Sequence, residues 1–249
     1  MKSVMITGCS SGFGLETASR FLDRGWSVVA TMRNPDEALL PASDRLRMLP
    51  LDVTDRDSIA RAVEAAGPID ALVNNAGIGF LSCFEGTPPE VIRTLFETNT
   101  FGSFDLIRAV LPQMRSRKAG VIVNVSSSVT LKPLPLLPVY TASKAAVNAF
   151  TECLALELAP LGIRVRLVLP GRAPTTSFGQ NARTLGADAK DPPADYKPFI
   201  DDVMSSFMAT ADQELTLPAD VVDAVWRAVT DPACPLRLPA GSDAVALAA

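Results

Sequence analysis

SVMITGCSSGFG, residues 3–14, passes from an apolar, β-branched run into a turn with glycine at 8, 12 and 14. The run predicts a β-strand, and the residues from Gly12 to Arg24 predict the helix that follows it. Glycines at these positions remove side chains where the backbone must turn tightly. They also leave the free N–H groups and positive dipole end of the helix open to an anion such as a pyrophosphate. A plain strand-to-helix turn is the other reading of the same residues. What raises the ligand reading is position, since this turn joins the first strand to the first helix.

Outward from this stretch the same alternation repeats. SVVATM, LRMLPLDV and DALVNNAG are followed by a short loop, by a helical period over Asp55–Ala66 and by another over Pro88–Arg115. GVIVNVSS precedes a helix from about Val139 to Ala159, and IRVRLVLP precedes a polar loop, helical stretches and a last short run, LRLPAG. Strands alternating with helices predict right-handed βαβ units: an α/β fold with a doubly wound, seven-stranded parallel sheet, helices on both faces, and one domain over residues 1–249. Thr87-Pro88-Pro89-Glu90 predicts a capping box at a helix start. Only the stretch from Gly171 to about Lys197 lacks a clean pattern, and a substrate lid over about 171–212 is expected there.

The 249 residues contain no histidine, which excludes Ser-His-Asp and Cys-His nucleophile activation and His-ligated metals. Cys9, Cys83, Cys153 and Cys234 form no C-x-x-C pair, so no metal knuckle or dithiol motif is expected. A net charge of -4 without a basic block argues against nucleic acid and anionic membranes as partners. Nowhere do about eighteen apolar residues run uninterrupted, and the first residues lack a signal-peptide pattern, so no membrane span and a cytoplasmic location are expected.

Tyr140 and Lys144 in YTASK lie four apart on a predicted helix and so share one face. A phenol titrates near ~10, too high for a base at neutrality. A neighbouring ammonium would favour phenolate. In a chain without histidine, Tyr140 is therefore the expected proton donor and acceptor.

The G-x-x-x-G-x-G spacing after Thr7, NNAG at 74–77, Asn99, NVSS ending the fifth strand, YTASK and PGRAPT after the sixth strand stand in one register along the chain. In this pattern the sequence resembles the short-chain dehydrogenase/reductase family, and GCSSGFG with ATMR resembles its 17β-hydroxysteroid and retinol-type branch. The resemblance implies reversible hydride transfer between a nicotinamide dinucleotide and a carbonyl or secondary alcohol. It assigns Ser127 to the substrate oxygen, with Ser126 and Ser128 as alternatives, and Asn99 to a water that completes a relay through Lys144. Cofactor contacts are implied at Gly8, Ser10, Ser11, Gly12, Phe13 and Gly14. Further contacts are implied at Asp52 and Val53, at Asn75, Ala76 and Gly77, at Tyr140 and Lys144, and at Pro170, Gly171, Ala173 and Thr175. The proline before Thr175 places the last backbone contact in question.

At the end of the second strand the position where an acid would hold the ribose hydroxyls carries Met32, followed by Arg33, so NADP(H) is expected over NAD(H). Asp36 and Glu37, after Asn34-Pro35, read as residues of the next turn. SVTLKPLPLLP, with Phe80 and Phe178, predicts an apolar pocket suited to a hydrophobic alicyclic or aromatic ketone. The other readings are a cofactor-binding redox sensor without turnover and a lyase or dehalogenase on the same fold. The long helices from Pro88 and Val139 resemble those that pair subunits in the family, which implies a homodimer or homotetramer.

Overall fold

A computed structural model describes residues 1–174, 185, 192–209 and 215–249. Its seven strands are β1 (Ser3–Thr7), β2 (Ser27–Met32), β3 (Leu46–Pro50), β4 (Ala71–Asn74), β5 (Gly120–Val125), β6 (Ile163–Pro170) and β7 (Arg237–Ala240). They form one parallel sheet in the order 3-2-1-4-5-6-7. The chain turns back on itself between β1 and β4, and crossovers leave the sheet in opposite directions there. The carboxyl ends of these two strands therefore border the crevice where ligands bind in open α/β sheets.

The alternation of side chains along each strand builds two cores. Val4, Ile6, Val28, Ala30, Ala71 and Val73 face α1 (Gly12–Asp23) and the late helix Pro218–Thr230. Their neighbours Met5, Val29, Leu72 and Ile122 face the opposite layer of α2 (Arg56–Ala66), α4 (Gly102–Arg117) and α5 (Pro138–Leu158). Because both faces are covered, the strands are apolar on both sides rather than amphipathic.

The expected elements form, with two differences at helix starts. The third helix, α3, runs Pro89–Phe96 with Pro88 at its cap and no side-chain cap bond. The predicted capping box is absent because the Thr87 hydroxyl donates to the Cys83 carbonyl instead (2.9 Å), which turns it away from the helix. Between α3 and α4 the helix widens into a π turn over Glu97–Phe101, a feature that apolar periodicity does not signal. Further helices among the described residues are α6 (Lys197–Ala209), α7 (Pro218–Thr230) and α8 (Ser242–Ala248).

The glycine turn is closed by contact with the β4 exit. Gly8 has a φ of 73° and Gly12 a φ of 55°, both left-handed. A Cβ on Gly14 would lie 2.3 Å from the Gly8 carbonyl oxygen and 2.6 Å from Asn75 Nδ2. Gly14→Ala is expected to destabilise the protein by about 2–3 kcal/mol, because backbone cannot retreat as a side chain can. Gly67→Ala, where no atom stands within 4 Å, is expected to cost about 1–3 kcal/mol from backbone strain alone, since φ 66° with ψ −153° is a conformation essentially confined to glycine. Thermal unfolding of each variant against the wild type checks these losses, and an unaltered midpoint for Gly14→Ala would contradict the close contact at the turn.

Candidate active site

The carboxyl ends of β1 and β4 are tied by Thr7. Its hydroxyl oxygen accepts the N–H groups of Asn75 (3.0 Å) and Ala76 (2.9 Å), and its carbonyl accepts Asn75 Nδ2 (2.9 Å). The Asn75 side chain is thus engaged in holding the turn, which a sequence position alone does not reveal. Ser10 is exposed at the tip of the turn, Ser11 stands at the α1 cap, and Phe13 packs on the first core. Burial pushes the Cys9 thiol up to about 12, against a smaller lowering by its bond to the Thr31 backbone, so the cysteine of this turn is an inert core group.

Tyr140 and Lys144 stand one turn apart on α5 and are only 7 % and 4 % exposed. Lys144 Nζ donates to the Val125 carbonyl at 3.0 Å, and burial brings its pKa down to about 8. Burial acts on the neutral phenol in the other direction and pushes Tyr140 up to about 12, although a hydrogen bond with Ser127 lowers it in part. The expected acidic tyrosine is therefore not a property of the protein frame alone: desolvation outweighs the hydrogen bond, and further positive charge is required to bring the phenol down.

Among the three serines after β5, only Ser127 bonds Tyr140. Ser126 donates to Asn148 Oδ1 (2.6 Å) and, more weakly, to the Lys144 carbonyl (3.4 Å). Ser128 is buried in the 3-10 turn Ser128–Thr130. Asn99, in the π turn, accepts the Ile78 N–H at 2.8 Å and donates to the Ile78 carbonyl at 2.9 Å and to Ser143 Oγ at 3.1 Å. Ser143 in turn donates to the Tyr140 carbonyl (2.7 Å). A Cβ on Gly77 would meet Asn99 Oδ1 at 3.2 Å and Lys144 Nζ at 3.3 Å, so the missing side chain of Gly77 is what lets both groups stand this close to the backbone there.

At the far end of the crevice Met32 is buried in the first core and Arg33 is exposed just beyond it. Asp36 accepts the Ala38 N–H (3.0 Å) and caps the turn Glu37–Leu39, as its place after Asn34-Pro35 suggests. Asp52 lies past the end of β3, where its Oδ1 accepts the Thr54 N–H (2.9 Å) and hydroxyl (2.7 Å). Burial raises the Asp52 carboxyl, but these two bonds and the Arg33 charge outweigh it and hold the carboxyl below its usual range. Val53 packs against the start of α4, where a Cβ on Gly102 would meet its carbonyl oxygen at 2.8 Å.

Pro170 ends β6, and Gly171 and Arg172 are held by Asp243 of α8. The Arg172 N–H donates to Asp243 Oδ2 (2.7 Å), and a Cβ on Gly171 would lie 2.1 Å from Asp243 Oδ1. Ala173 follows in the described loop, whereas Thr175 and Phe178 lie outside the described residues. Phe80 is buried with Val129, Val139 and Tyr140 in one apolar cluster, against which Leu134 and Leu137 also pack.

A family model described as short chain dehydrogenase matches residues 2–185. The chain belongs to the short-chain dehydrogenase family. This dehydrogenase is 37 % identical to the oxidoreductase YusZ of Bacillus subtilis over 92 % of its own length and 85 % of that protein. It is 38 % identical to human retinol dehydrogenase 8 over 72 % of its length, but it spans only 61 % of that relative. Among solved structures, a short-chain dehydrogenase from Streptomyces avermitilis is 36 % identical with a TM-score of 0.84, covering 99 % of this chain and 90 % of that one. A serine dehydrogenase complexed with NADP+ is 30 % identical, with a TM-score of 0.81 and coverage of 97 % and 95 %. A 3-ketoacyl-(acyl-carrier-protein) reductase from Brucella melitensis complexed with NADH is 27 % identical, with a TM-score of 0.78 and coverage of 96 % on both sides. Among the described residues no helix is long and apolar enough to cross a membrane.

The buried lysine makes stability depend on pH. Its folded pKa of about 8 lies below the ordinary 10.5, so between these values the unfolded chain binds more protons and stability rises with pH. Tyr140, raised from 10.0 to about 12, has the opposite effect over its own higher window, since there the folded chain holds the proton. Cys9, raised from 9.0 to about 12, acts in the same sense as Tyr140 from about pH 9 upward. Urea unfolding from pH 7.5 to 9 is therefore expected to show the Lys144 rise, by about 1 kcal/mol, and Lys144→Met is expected to flatten it. A rise of the same size in that variant would remove Lys144 as its source.

Proposed function

We propose that the protein is an NADP(H)-dependent reductase of hydrophobic alicyclic or aromatic ketones, working reversibly on the matching secondary alcohols. The observation that carries this reading is the buried Ser127–Tyr140–Lys144 group beside the glycine turn, with an apolar cluster packed on the tyrosine. The donor set suits a dinucleotide: the α1 N-terminus follows two left-handed glycines, Ala76 and Gly77 adjoin it, and the Lys144 ammonium has three donor hydrogens of which the Val125 carbonyl takes one. When bound, NADPH supplies the hydride.

The remaining steps belong to the chain's own groups. Ser127 and Tyr140 hold the carbonyl oxygen by hydrogen bonds that strengthen as negative charge develops on it. Tyr140 then donates its proton to that oxygen. Lys144 stabilises the phenolate left behind, and a water held beside Asn99 returns a proton through Lys144. Ketone, hydride and proton give the alcohol, so the balance is complete.

The preference for the phosphorylated cofactor rests on Arg33, exposed where an acid would repel a 2'-phosphate, and on Met32, which is buried and has no group for the ribose hydroxyls. Solved relatives hold either cofactor. The segment 171–212 is proposed as the lid, because its described parts pack on the loop after β4 and on the segment before α5. Tyr196 hydrogen-bonds Glu85, and Val203 packs with Cys83 and Leu136. Self-association is proposed through the α4–α5 face, where Phe101 is 47 % exposed beside the stacked pair Phe104–Phe150. A purely monomeric mass by light scattering would rule that out.

NADPH absorbance is to be followed with 1-decalone, 2-tetralone, acetophenone and a ring-ketone steroid. Turnover of at least one is expected, and Tyr140→Phe should lower it by at least about 10²-fold with NADPH affinity nearly unchanged. Unchanged turnover in that variant would remove Tyr140 as the acid; NADPH binding without turnover of any ketone would favour the sensor reading, and no NADPH binding would favour the lyase. Arg33→Ala is expected to weaken NADPH at least about tenfold, the loss of one charge-assisted phosphate contact, and to leave NADH unaffected. Equal weakening of both would place Arg33 outside the cofactor preference.

A further inference from the structure

One buried polar group on the catalytic helix is not used by the chemistry above. Asn148 lies one turn beyond Lys144 on α5 and is 7 % exposed. Its Oδ1 accepts the Ser126 hydroxyl at 2.6 Å, and its Nδ2 donates to Thr130 Oγ1 at 2.8 Å. Thr130 then donates its own hydroxyl proton to the Ser127 carbonyl at 2.8 Å. The two arms of one amide thus grip the residue before Ser127 and, through Thr130, the backbone of Ser127 itself.

The direction of this chain is dictated by proton count. A threonine hydroxyl has one proton, and here it is committed to the Ser127 carbonyl, so towards Asn148 Thr130 can only accept. The amide must present its NH2 to Thr130 and therefore its oxygen to Ser126, which must donate. Reversing the amide would set an acceptor against the Thr130 oxygen in a buried site, at the desolvation cost of an unmade bond. A carboxylate at 148 would lack the donor altogether.

We propose that Asn148 is a positioning residue for catalysis: it joins the exit of β5 to the helix that carries Tyr140 and Lys144, and so sets the Ser127 hydroxyl against the Tyr140 hydroxyl. This rests on the proposed role of Ser127. The Ser126 N–H donates to the Val168 carbonyl at 2.8 Å and so holds the strand end, but the other bonds to Ser127 itself are longer. Its side chain accepts the Val129 N–H only at 3.3 Å, and the bond from the Thr130 N–H to its carbonyl is also 3.3 Å. A small rotation of the Ser126–Ser127 backbone swings the hydroxyl away from the phenol, and misplacements of this order cost catalysis far more than they cost binding.

Asn148→Leu removes both arms at similar volume, and Thr130→Val removes the lower link alone. With a ketone that the wild-type enzyme reduces, each is expected to lower kcat about tenfold while the NADPH Kd stays within twofold. The double variant is expected to lose no more than either single one, since both cut the same chain. In a Ser127→Ala background, Asn148→Leu is expected to change the residual rate less than twofold. The same tenfold loss in that background, or an unaltered kcat in both single variants, would overturn the proposal. Should Asn148→Leu fail to fold, Thr130→Val alone carries the comparison. Crystal structures of the variants give a readout free of substrate: Ser127 Oγ is expected to leave hydrogen-bond distance of Tyr140. If it leaves while the wild type reduces no ketone, the proposed activity has failed and the positioning role stands. If it stays in place, the positioning role has failed whatever the activity.

Discussion

The close approach of two backbone segments at the seam between β1 and β4 is the constraint on which the other features depend. Gly8 and Gly14 have no side chains, so the first turn of α1 can rest on the Gly8 carbonyl and on Asn75 at once. Thr7 then satisfies two backbone N–H groups of the β4 exit with one oxygen. Parallel strands whose crossovers leave in opposite directions open a crevice at their carboxyl ends, and this tie joins its two sides. The helix N-terminus on one side and Gly77 on the other are brought to the same opening.

From that opening the site is built by burial. Tyr140 and Lys144 are both buried, and burial shifts them in opposite directions: the phenol is raised to about 12 and the ammonium lowered to about 8. Burial therefore keeps the phenol neutral, the state in which it can donate, while at about 8 the lysine still carries its charge at neutral pH. Positive charge arriving near the phenol shifts this balance. A dry site responds strongly to such charge, because the low dielectric that penalises an isolated ion also strengthens its attraction to a partner.

Polar groups around the pair are arranged as chains rather than single contacts. Asn99 joins the Ile78 backbone to Ser143 and so to the Tyr140 carbonyl. Asn148 joins Ser126 to Thr130 and so to Ser127. Both asparagines act between the strand exits and α5, the helix that carries the reactive groups. The π turn that presents Asn99 has a local reason for its geometry: the widened turn directs the amide to both polar groups of Ile78.

Much of this was legible in the sequence, because the information is local. The near-continuous apolar, β-branched runs SVMIT, SVVATM and GVIVNV determine strands with two buried faces, and the four-residue interval of Tyr140 and Lys144 determines a shared helix face. Motif order along the chain was enough to bring out the family and the candidate residues, and the absence of histidine turned attention to a phenol. Other points were decided only by tertiary contacts between segments far apart in the chain. That Thr87 bonds Cys83 instead of capping a helix, that Asn75 is engaged by the glycine turn, that Ser127 rather than Ser126 reaches the phenol, and that burial raises Tyr140 all depend on partners supplied by other elements. Hydrogen bonding and desolvation are properties of the assembled surroundings, and a residue's type and interval along the chain do not contain them.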